Sequence, residues 1–275
     1  GEAFSDYAEA RRYVETHPLP LVVKADGLAA GKGVTVAHTR EEALLALHRA
    51  MVARVFGPVG DRVTVDECLS GREVSFLAFT DGTAVVPLVP ACDYKRIYDG
   101  DQGPNTGGMG GYSPPSFFTA ELARQATATI LEPAVRALAA EGCPYKGVLY
   151  AGLMLTDDGP QVLEFNCRFG DPETQVTLPR LQSDLLELLL ACVHGGLERV
   201  RVEWDPRACV GVVMASAGYP GDYRIGYPIT GLDQVGQEVT VFHAGTRQDG
   251  ARVLTDGGRV LAVAALGEGL AAARE

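Results

Sequence analysis

The sequence predicts an α+β fold, in which antiparallel hairpins and helices share one chain. Two turns, at Asp81-Gly82 and at 157–159, each join two apolar segments, which is a signal for a β-hairpin. Helix-start patterns lie between the predicted strands, so helices and strands are interspersed. From about Arg201 onward the pattern changes to short apolar strands, which predicts a small β-rich domain at the C-terminal end.

The elements up to residue 88 follow from local patterns. Ser5-Asp6 followed by Glu9, and Thr39 followed by Glu42, are patterns in which a side-chain oxygen caps the first helical turn. Apolar runs bounded by turn residues indicate strands. The predicted elements are helices ending near Thr16 and Val52 and strands at 21–25, 34–37, 63–67, 74–79 and 84–88.

The remaining elements follow from glycine, proline and apolar patterns. A loop rich in Gly and Pro is predicted from Asp99 to Pro115, and a helix over about 120–140 should bend at Pro133. A later helix begins at Ser183-Asp184 and ends at Gly195-Gly196. The predicted strands are 147–155, 161–166, 209–216, 239–243, 252–255 and 259–265, with domains at 1–197 and 198–275.

Composition excludes several classes of protein. The chain has 275 residues, is 47% hydrophobic and contains 33 glycines, which is typical of a loop-rich globular protein. A net charge of −11 argues against a nucleic-acid partner. Six cysteines without a CxxC pair argue against zinc or disulfides and favour a reducing cytoplasm. No apolar run has membrane-spanning length, so no membrane partner is expected.

The chain starts at Gly1, directly before a helical pattern, and stops within another helical pattern at Glu275. A start of this kind carries no basic-then-apolar leader. We therefore expect the sequence to be a piece of a longer polypeptide.

A polar strand end carries the strongest indication of chemistry. In a strand, alternation places Val162, Glu164 and Asn166 on one face, with Arg168 just beyond. A carboxylate and an amide oxygen beside a guanidinium suit Mg²⁺ that holds a polyphosphate. The alternative is a strand end with surface polar residues, followed by a helix capped at Asp171-Pro172. Capping explains that dipeptide but leaves the other polar residues unexplained.

The glycine-rich segment 26–33 resembles known phosphate loops only in composition. Its glycines are one residue too close for a P-loop, and Gly33 stands where that motif needs Ser or Thr. A Rossmann fingerprint would need a glycine near Thr35. What remains is a hairpin loop whose backbone N–H groups and neighbouring Lys24 suit a triphosphate. A flexible hairpin with exposed lysines is the alternative.

Three further segments are candidates for ligand contacts. Backbone groups at 67–69 suit an adenine edge, and Glu73 suits a ribose hydroxyl; an ordinary polar connection is the alternative. Lys95 and Arg96 suit phosphate or a carboxylate, unless they form a solvated basic pair. Five glycines within 103–111 cost conformational entropy, which favours a loop that closes on a small ligand.

Together these motifs resemble the ATP-grasp superfamily and, more closely, the phosphoribosylamine–glycine ligase (glycinamide ribonucleotide synthetase) family. The matching stretches are 22–34, 103–114, 149–154, 164–175, 218–224 and 242–246. The resemblance implies an ATP-grasp fold, in which two α+β lobes clasp ATP, followed by a small, truncated β-rich C-terminal domain. Residues 18–85 would form a mobile lid, the rest of 1–197 the central lobe, and an N-terminal substrate domain would be absent.

The resemblance implies a cytoplasmic, monomeric enzyme of purine biosynthesis. It would use ATP and Mg²⁺ or Mn²⁺ to join glycine to 5-phosphoribosylamine through glycyl phosphate. The alternatives are another ATP-grasp carboxylate–amine ligase and, for this chain alone, an ATP-binding module without turnover. Two departures from the family pattern are Asp66, where a glutamate is common, and Gly152, where relatives carry a second acidic metal ligand.

The resemblance also implies a role for each site residue. Glu164 and Asn166 would hold the metal, and Arg168, Asp171 and Asn105 would be catalytic. Glycine and the amine would be bound by Asn105, Thr106, Gly107, Gly108 and Asp171. ATP would be bound by Lys24, Gly27, Gly31, Lys32, Gly33, Glu67, Cys68, Leu69, Glu73, Lys95 and Arg96.

Overall fold

The computed structural model describes residues 1–27 and 33–275, which form two compact units, Gly1–Ser70 and Gly71–Glu275. The predicted site residues Gly31 and Lys32 lie outside the described residues. In the described part of the chain, no helix combines the length and the apolar character needed to cross a membrane.

The first unit is a four-stranded antiparallel sheet with two helices packed against it. Its strands, in the spatial order β1-β4-β2-β3, are β1 (Glu2–Phe4), β2 (Leu21–Ala25), β3 (Val34–Ala37) and β4 (Val63–Glu67). Its two α-helices are α1 (Tyr7–Thr16) and α2 (Arg40–Leu47). Helix α2 continues as a π-helical turn (His48–Val52), and a separate 3₁₀ helix (Gly57–Asp61) follows. Alanines and valines of the helices and the sheet share one buried core.

Both predicted helix caps of this unit are confirmed. Glu9 N donates to Asp6 Oδ1 at 2.9 Å, so Asp6 begins α1. At the start of α2, Glu42 N donates to Thr39 Oγ1 at 3.2 Å. Thr39 N donates in turn to Glu42 Oε2 at 3.2 Å, which completes a capping box.

The second unit contains the remaining elements. Its strands are β5 (Arg72–Thr80), β6 (Val85–Pro87), β7 (Cys92–Asp93), β8 (Arg96–Tyr98), β9 (Gln102–Asn105), β10 (Gly110–Ser113), β11 (Gly147–Thr156), β12 (Gly159–Asn166), β13 (Ala208–Ala215), β14 (Pro228–Ile229), β15 (Val239–His243), β16 (Thr246–Asp249), β17 (Arg252–Thr255) and β18 (Arg259–Gly267). Its helices are α3 (Ala120–Ala126), α4 (Glu132–Ala140), α5 (Thr174–Thr177), α6 (Leu185–His194) and α7 (Leu270–Arg274). The sheets have the orders β12-β11-β5-β6, β15-β18-β13-β10-β7, β14-β17-β16 and β8-β9.

The four-stranded sheet of this unit has two differently covered faces. On one face, side chains such as Phe76 and Leu153 pack into a core with residues of α3 and α4. On the other face, Leu77 and Phe79 pack against α6 at one end of the sheet. Further along β5 the same alternation brings Glu73 and Ser75 to that second face, so its other end is polar.

The Asp81-Gly82 hairpin between β5 and β6 is confirmed, and its aspartate also reaches a distant turn. Asp81 Oδ1 accepts from Thr83 N at 3.0 Å and Ala84 N at 2.9 Å. Its Oδ2 accepts from Gly196 N at 3.1 Å and Leu197 N at 3.2 Å. Burial raises the pKa of Asp81, but these N–H donors outweigh it and the net pKa is lowered.

The predicted long helix is interrupted just before its proline. α3 and α4 are joined by a π-helical turn, Thr127–Leu131, which ends two residues before Pro133. Proline has no N–H group to donate to the preceding turn, so the hydrogen-bond pattern changes upstream of it.

The predicted loop at 99–115 contains strands, and the loop prediction is wrong there. β10 lies in the five-stranded sheet, where its first two residues are Gly110 and Gly111. A Cβ at Gly111 would lie 2.6 Å from Cys92 O, and one at Gly110 would lie 2.4 Å from Gly211 O. Close backbone approach in the sheet, rather than loop flexibility, therefore requires these glycines.

The four strands predicted after residue 208 are confirmed as β13, β15, β17 and β18. The five-stranded sheet combines three of them with β7 and β10 from earlier in the chain. The division into 1–197 and 198–275 stays a prediction.

Candidate functional site

Three polar side chains form a continuous row at the end of β12. Asn166 Nδ2 donates to Glu164 Oε1 at 3.0 Å. Arg168 Nη2 donates to Asn166 Oδ1 at 3.4 Å, and its Nη1 donates to Phe169 O at 2.9 Å. Glu164 and Asn166 are therefore on one face, as alternation along the strand predicts.

A β-bulge in β12 moves Val162 to the opposite face from Glu164 and Asn166. β11 pairs Gly152 with Glu164 and Leu153 with Val162, so Leu163 is an extra residue in β12. Gly152 and Leu153 point to opposite faces, and so do their partners. The prediction that Val162 shares a face with Glu164 is wrong, because simple alternation does not account for an inserted residue.

A cavity of about 30 Å³ lies beside Glu164 on the polar face of the sheet. It is lined by Glu73, Val74, Ser75, Lys95, Tyr150, Gly152, Leu153, Leu163 and Glu164. A space of this size holds about one water molecule or a small ion. The absence of a side chain at Gly152 leaves space in this cavity, since a Cβ there would lie 3.4 Å from Glu164 Cγ.

The donors at this site fit a divalent cation that is shared with a polyphosphate. Glu164 offers a carboxylate and Asn166 an amide oxygen, both of which Mg²⁺ and Mn²⁺ accept. The residue opposite Glu164 on β11 is Gly152, which adds no ligand. Among the residues that the structure describes, no group of three or more His, Cys, Asp or Glu is placed to hold a metal. Mg²⁺ commonly takes its other ligands from water and phosphates, so two protein oxygens suffice.

Lys95 lies between two carboxylates, whereas its neighbour Arg96 has a different environment. Lys95 Nζ is 2.5 Å from Glu73 Oε2 and 3.2 Å from Asp93 Oδ1. Burial lowers the pKa of Lys95, but the two carboxylates outweigh burial and the net pKa is raised. Arg96 Nη1 donates instead to Gly103 O at 2.6 Å within the β8–β9 ribbon. The predicted basic pair is therefore divided between the cavity and the ribbon.

A buried network of three side chains lies behind the cavity. Glu173 Oε1 accepts from Tyr150 Oη at 2.9 Å and from Ser75 Oγ at 3.0 Å. Burial, and secondly the nearby Asp93, raises the pKa of Glu173. No sequence pattern predicted this network, because Ser75 and Tyr150 are 75 residues apart. Glu173 lies within the stretch 164–175 that carries the family resemblance, which was the one available signal.

The predicted substrate loop follows the β8–β9 ribbon directly. Asn105 pairs with Arg96 in that ribbon. Thr106 N and Oγ1 both donate to Lys95 O, at 2.7 and 2.8 Å. Gly108 N then donates to Thr106 Oγ1 at 3.0 Å. The main chain of Lys95 thus connects the loop with the cavity.

Two residues that the sequence analysis missed hold this loop from the C-terminal part of the chain. Gly107 N donates to Tyr219 Oη at 2.9 Å, and Arg259 Nη1 donates to Gly107 O at 2.7 Å. Arg259 also pairs with Asp171, with Nη2 at 2.9 Å from Oδ2 and Nη1 at 3.1 Å from Oδ1. Their separations from Gly107, 112 and 152 residues, explain why no local pattern revealed them.

The contacts of Asp171 replace the predicted helix cap. Helix α5 begins at Thr174, so a helix start at Pro172 capped by Asp171 is wrong. The carboxylate accepts instead from Gln175 Nε2 at 2.9 Å and from Arg259. The side chains of nearby Gln175 and distant Arg259 therefore occupy the oxygens that the capping pattern assigned to backbone N–H groups.

In the first unit, the structure brings two groups of predicted ATP ligands to neighbouring strands. Lys24 of β2 is paired with Asp66 of β4, with Nζ at 2.9 Å from Oδ2. Glu67 ends β4, Cys68 N follows and donates to Pro20 O at 3.3 Å, and Cys68 Sγ lies 3.9 Å from Leu69 O. The register pairs Glu67 with Leu21 and Lys24 with Thr64, so it is the Lys24 side chain that reaches Asp66, the residue before the segment 67–69.

The glycine-rich hairpin of the first unit is described at its two ends. Ala25 N donates to Gly33 O at 2.9 Å, which closes the hairpin above β2 and β3. Gly27 N donates to Ala25 O at 3.0 Å, and a Cβ at Gly27 would lie 2.9 Å from Val59 Cγ1. The antiparallel pairing of β2 with β3 confirms the predicted hairpin, and its role in binding a triphosphate stays a prediction.

Comparisons with known proteins agree with the fold. Residues 1–174 match the family model of the phosphoribosylglycinamide synthetase ATP-grasp (A) domain, and residues 209–275 match that of its C domain. The phosphoribosylamine–glycine ligase of Halalkalibacterium halodurans is 52% identical over 263 residues, which is 96% of this chain and 61% of that protein.

Solved structures show the same relationship. The crystal structure of the Thermotoga maritima phosphoribosylamine–glycine ligase has a TM-score of 0.90 at 35% identity, over 99% of this chain and 68% of that one. The biotin carboxylase domain of Hydrogenobacter thermophilus 2-oxoglutarate carboxylase, solved with MgADP, has a TM-score of 0.69 at 16% identity, over 96% and 56% of the two chains, which is a likeness of fold.

The chain spans about three fifths of the length of the curated relative, 61%. Its ATP-grasp fold, followed by a C domain, confirms the expectation from the sequence motifs. The chain belongs to the phosphoribosylglycinamide synthetase family.

Proposed function

We propose that this chain provides the ATP-grasp and C-terminal parts of a phosphoribosylamine–glycine ligase. The reaction is ATP + 5-phosphoribosylamine + glycine → glycinamide ribonucleotide + ADP + phosphate. The observation that carries the proposal is the row of contacts from Glu164 through Asn166 to Arg168. In the same unit, Lys95 links the cavity beside this row to the loop at 105–108.

The chemistry follows from the charge on the two substrates. A glycine carboxylate does not react with an amine until one of its oxygens carries a phosphoryl group. Transfer of the γ-phosphoryl group to glycine gives glycyl phosphate and ADP, and the amine of phosphoribosylamine then attacks the acyl carbon and expels phosphate. Positioning and charge neutralisation supply most of the catalysis of such a transfer.

The residues at the end of β12 provide that charge neutralisation. Arg168 supplies a guanidinium, which remains charged and can donate two parallel hydrogen bonds to phosphoryl oxygens. Glu164 and Asn166 would hold Mg²⁺ or Mn²⁺, which supplies further positive charge to the polyphosphate. The similar fold of the 2-oxoglutarate carboxylase domain, solved with MgADP, supports this assignment.

Glycine and the amine are assigned to the segment beyond the ribbon. Asn105, Thr106, Gly107 and Gly108 would surround the small substrate, where glycine allows a close approach of the backbone. Asp171 is half-exposed at 51% and would attract the ammonium group of glycine or orient the attacking amine.

ATP is assigned to the residues that the family resemblance indicates. Lys24 would supply charge to the phosphates, Glu73 would accept a ribose hydroxyl, and Lys95 would orient Glu73 through its 2.5 Å contact. The remaining assigned contacts are Gly27, Gly31, Lys32 and Gly33 to phosphate, Glu67, Cys68 and Leu69 to adenine, and Arg96 to phosphate.

We also infer a cytoplasmic monomer whose partners are these small molecules, with a mobile lid at 18–85. All six cysteines lie in the described part of the chain and are free thiols, which supports a reducing compartment. The net charge of −11 supports the absence of a nucleic-acid partner.

The decisive test is acid-dependent use of ATP. The 275-residue chain is assayed for phosphate release with glycine and with a panel of other amino acids and carboxylates. It is then fused to the segment of a curated relative that lies outside the match. This fusion is assayed for glycinamide ribonucleotide with phosphoribosylamine generated in the reaction.

The possible results separate the candidate functions. Ligation by the fusion protein that requires glycine supports the proposal. Phosphate release with a different acid would identify another ATP-grasp ligase, and nucleotide binding without release under any condition would identify a binding module.

A further inference from the structure

Arg259 connects two segments that the proposed function assigns to the substrates. It is the first residue of β18, and its side chain is 22% exposed. Nη1 donates to Gly107 O at 2.7 Å and to Asp171 O at 3.1 Å. Both carboxylate oxygens of Asp171 also face the guanidinium, at 3.1 and 2.9 Å. One side chain thus fixes the carbonyl of one segment and the carboxylate of the other.

The loop is shaped around this guanidinium. A Cβ at Gly107 would lie 3.1 Å from Arg259 Cζ and Nε, so glycine allows the close contact. Gly108 has a φ of +110°, and a Cβ there would lie 2.4 Å from Pro172 Cδ. Tyr219 Oη accepts from the N–H of Gly107 at 2.9 Å, so the same residue is held through both its backbone polar groups.

The geometry of the contacts requires arginine. A planar fork of N–H donors satisfies two carboxylate oxygens and a carbonyl at once, whereas a lysine ammonium is a single point of charge. An ordinary surface ion pair adds little to stability. Here the pair instead fixes the direction of the Asp171 carboxylate and the position of the Gly107 carbonyl.

We infer that Arg259 is a positioning residue, which sets the geometry of the glycine-binding segment by fixing the positions of Gly107 and Asp171 relative to each other. This role rests on the proposed function. It places a requirement for substrate binding in the C domain, at a residue that does not itself need to touch the substrate.

The test is glycine binding by the 275-residue chain in the presence of magnesium and a non-hydrolysable ATP analogue. Arg259→Lys should weaken glycine binding about tenfold, the factor that corresponds to the loss of about one charge-assisted hydrogen bond in the contacts that hold Gly107 and Asp171. The Kd of the ATP analogue should change less than twofold. The matched control is Arg252→Lys in the same part of the chain, where Arg252 Nη2 pairs with Asp249 Oδ2 at 2.8 Å on the surface.

A double-mutant cycle distinguishes a positioning role from a purely structural one, because it measures whether the losses of glycine binding in two variants are independent. If Arg259 acts through Asp171, Arg259→Lys combined with Asp171→Asn should bind glycine no more weakly than the weaker single variant. Urea unfolding of Arg259→Lys should match that of the Arg252→Lys control.

Each contrary result has a distinct meaning. The positioning role alone would be overturned if Arg259→Lys bound glycine as the wild type does. It would also be overturned if this variant lost glycine binding, nucleotide binding and stability to the same extent. Failure of the wild-type chain to bind glycine would overturn the proposed glycine site and this role with it.

Discussion

Replacement of Asp81 by asparagine should cost the second unit several kcal/mol of stability. Asp81 is 8% exposed, and its carboxylate accepts four backbone N–H groups, two at each oxygen. Asparagine can keep the two hydrogen bonds that Oδ1 accepts. Its NH₂ group would face the N–H groups of Gly196 and Leu197, so donors would meet donors there. Hydrogen bonds to a charged group contribute about 1.5–3 kcal/mol each, so the loss of two should lower the free energy of unfolding by about 3–6 kcal/mol.

The measurement is urea unfolding at pH 7, with Asp158→Asn as the control. Asp158 precedes the glycine of the other Asp–Gly hairpin and is exposed, so its replacement should change the free energy of unfolding by less than about 0.5 kcal/mol. A loss below about 1 kcal/mol for Asp81→Asn would show that the two bonds to the distant turn do not stabilise the fold.

The pH dependence provides a second check on Asp81. Its pKa is lowered below its ordinary value of 3.8 in the folded protein, so the carboxylate stabilises the fold fully above that value. The contribution is lost as the pH falls through the folded pKa. The difference in stability between wild type and Asp81→Asn should therefore be largest above about pH 5 and should shrink towards pH 3. A constant difference would contradict this reasoning.

Three further predictions concern the candidate site. Arg168→Ala should abolish ligation and leave the Kd for ATP within about threefold, measured by isothermal titration; wild-type activity would refute its role. Glu164→Gln should raise the magnesium concentration for half-maximal turnover at least about tenfold, with Glu121→Gln on α3 as the control, and an unchanged metal titration would count against it as a ligand. Gly108→Ala should lower the free energy of unfolding by about 1–3 kcal/mol in urea, because of the positive φ and the proline contact; wild-type stability would show that the loop has an alternative conformation.

Local chemistry explains which parts of the fold were predictable. The caps at Asp6 and Thr39 and the hairpin at Asp81-Gly82 depend on residues within four positions of each other. Such patterns act before any tertiary contact forms, so they can be recognised in the sequence alone. The polar row at Glu164 and Asn166 was predictable for the same reason, since strand alternation is a local property.

The failures have the opposite cause. The bulge at Leu163 depends on how β12 pairs with β11, and strand β10 depends on partners that approach Gly110 and Gly111 closely. Arg259 and Tyr219 reach Gly107 across more than a hundred residues. Single-sequence patterns carry no information on such pairings, so the contacts of these side chains could not be predicted, although Tyr219 lies in the stretch 218–224 that carries the family resemblance.

The order of the five-stranded sheet predicts how the protein behaves when its chain is cut. β13 pairs with β10 in this sheet, so the β10–β13 backbone ladder joins residues from before and after Arg201. The Arg201 side chain is 87% exposed, which makes it accessible to trypsin. A single nick there should give two fragments that migrate together on a native gel. Expressed alone, each half would present an unpaired strand edge and should aggregate, whereas co-expression should return both to the soluble fraction.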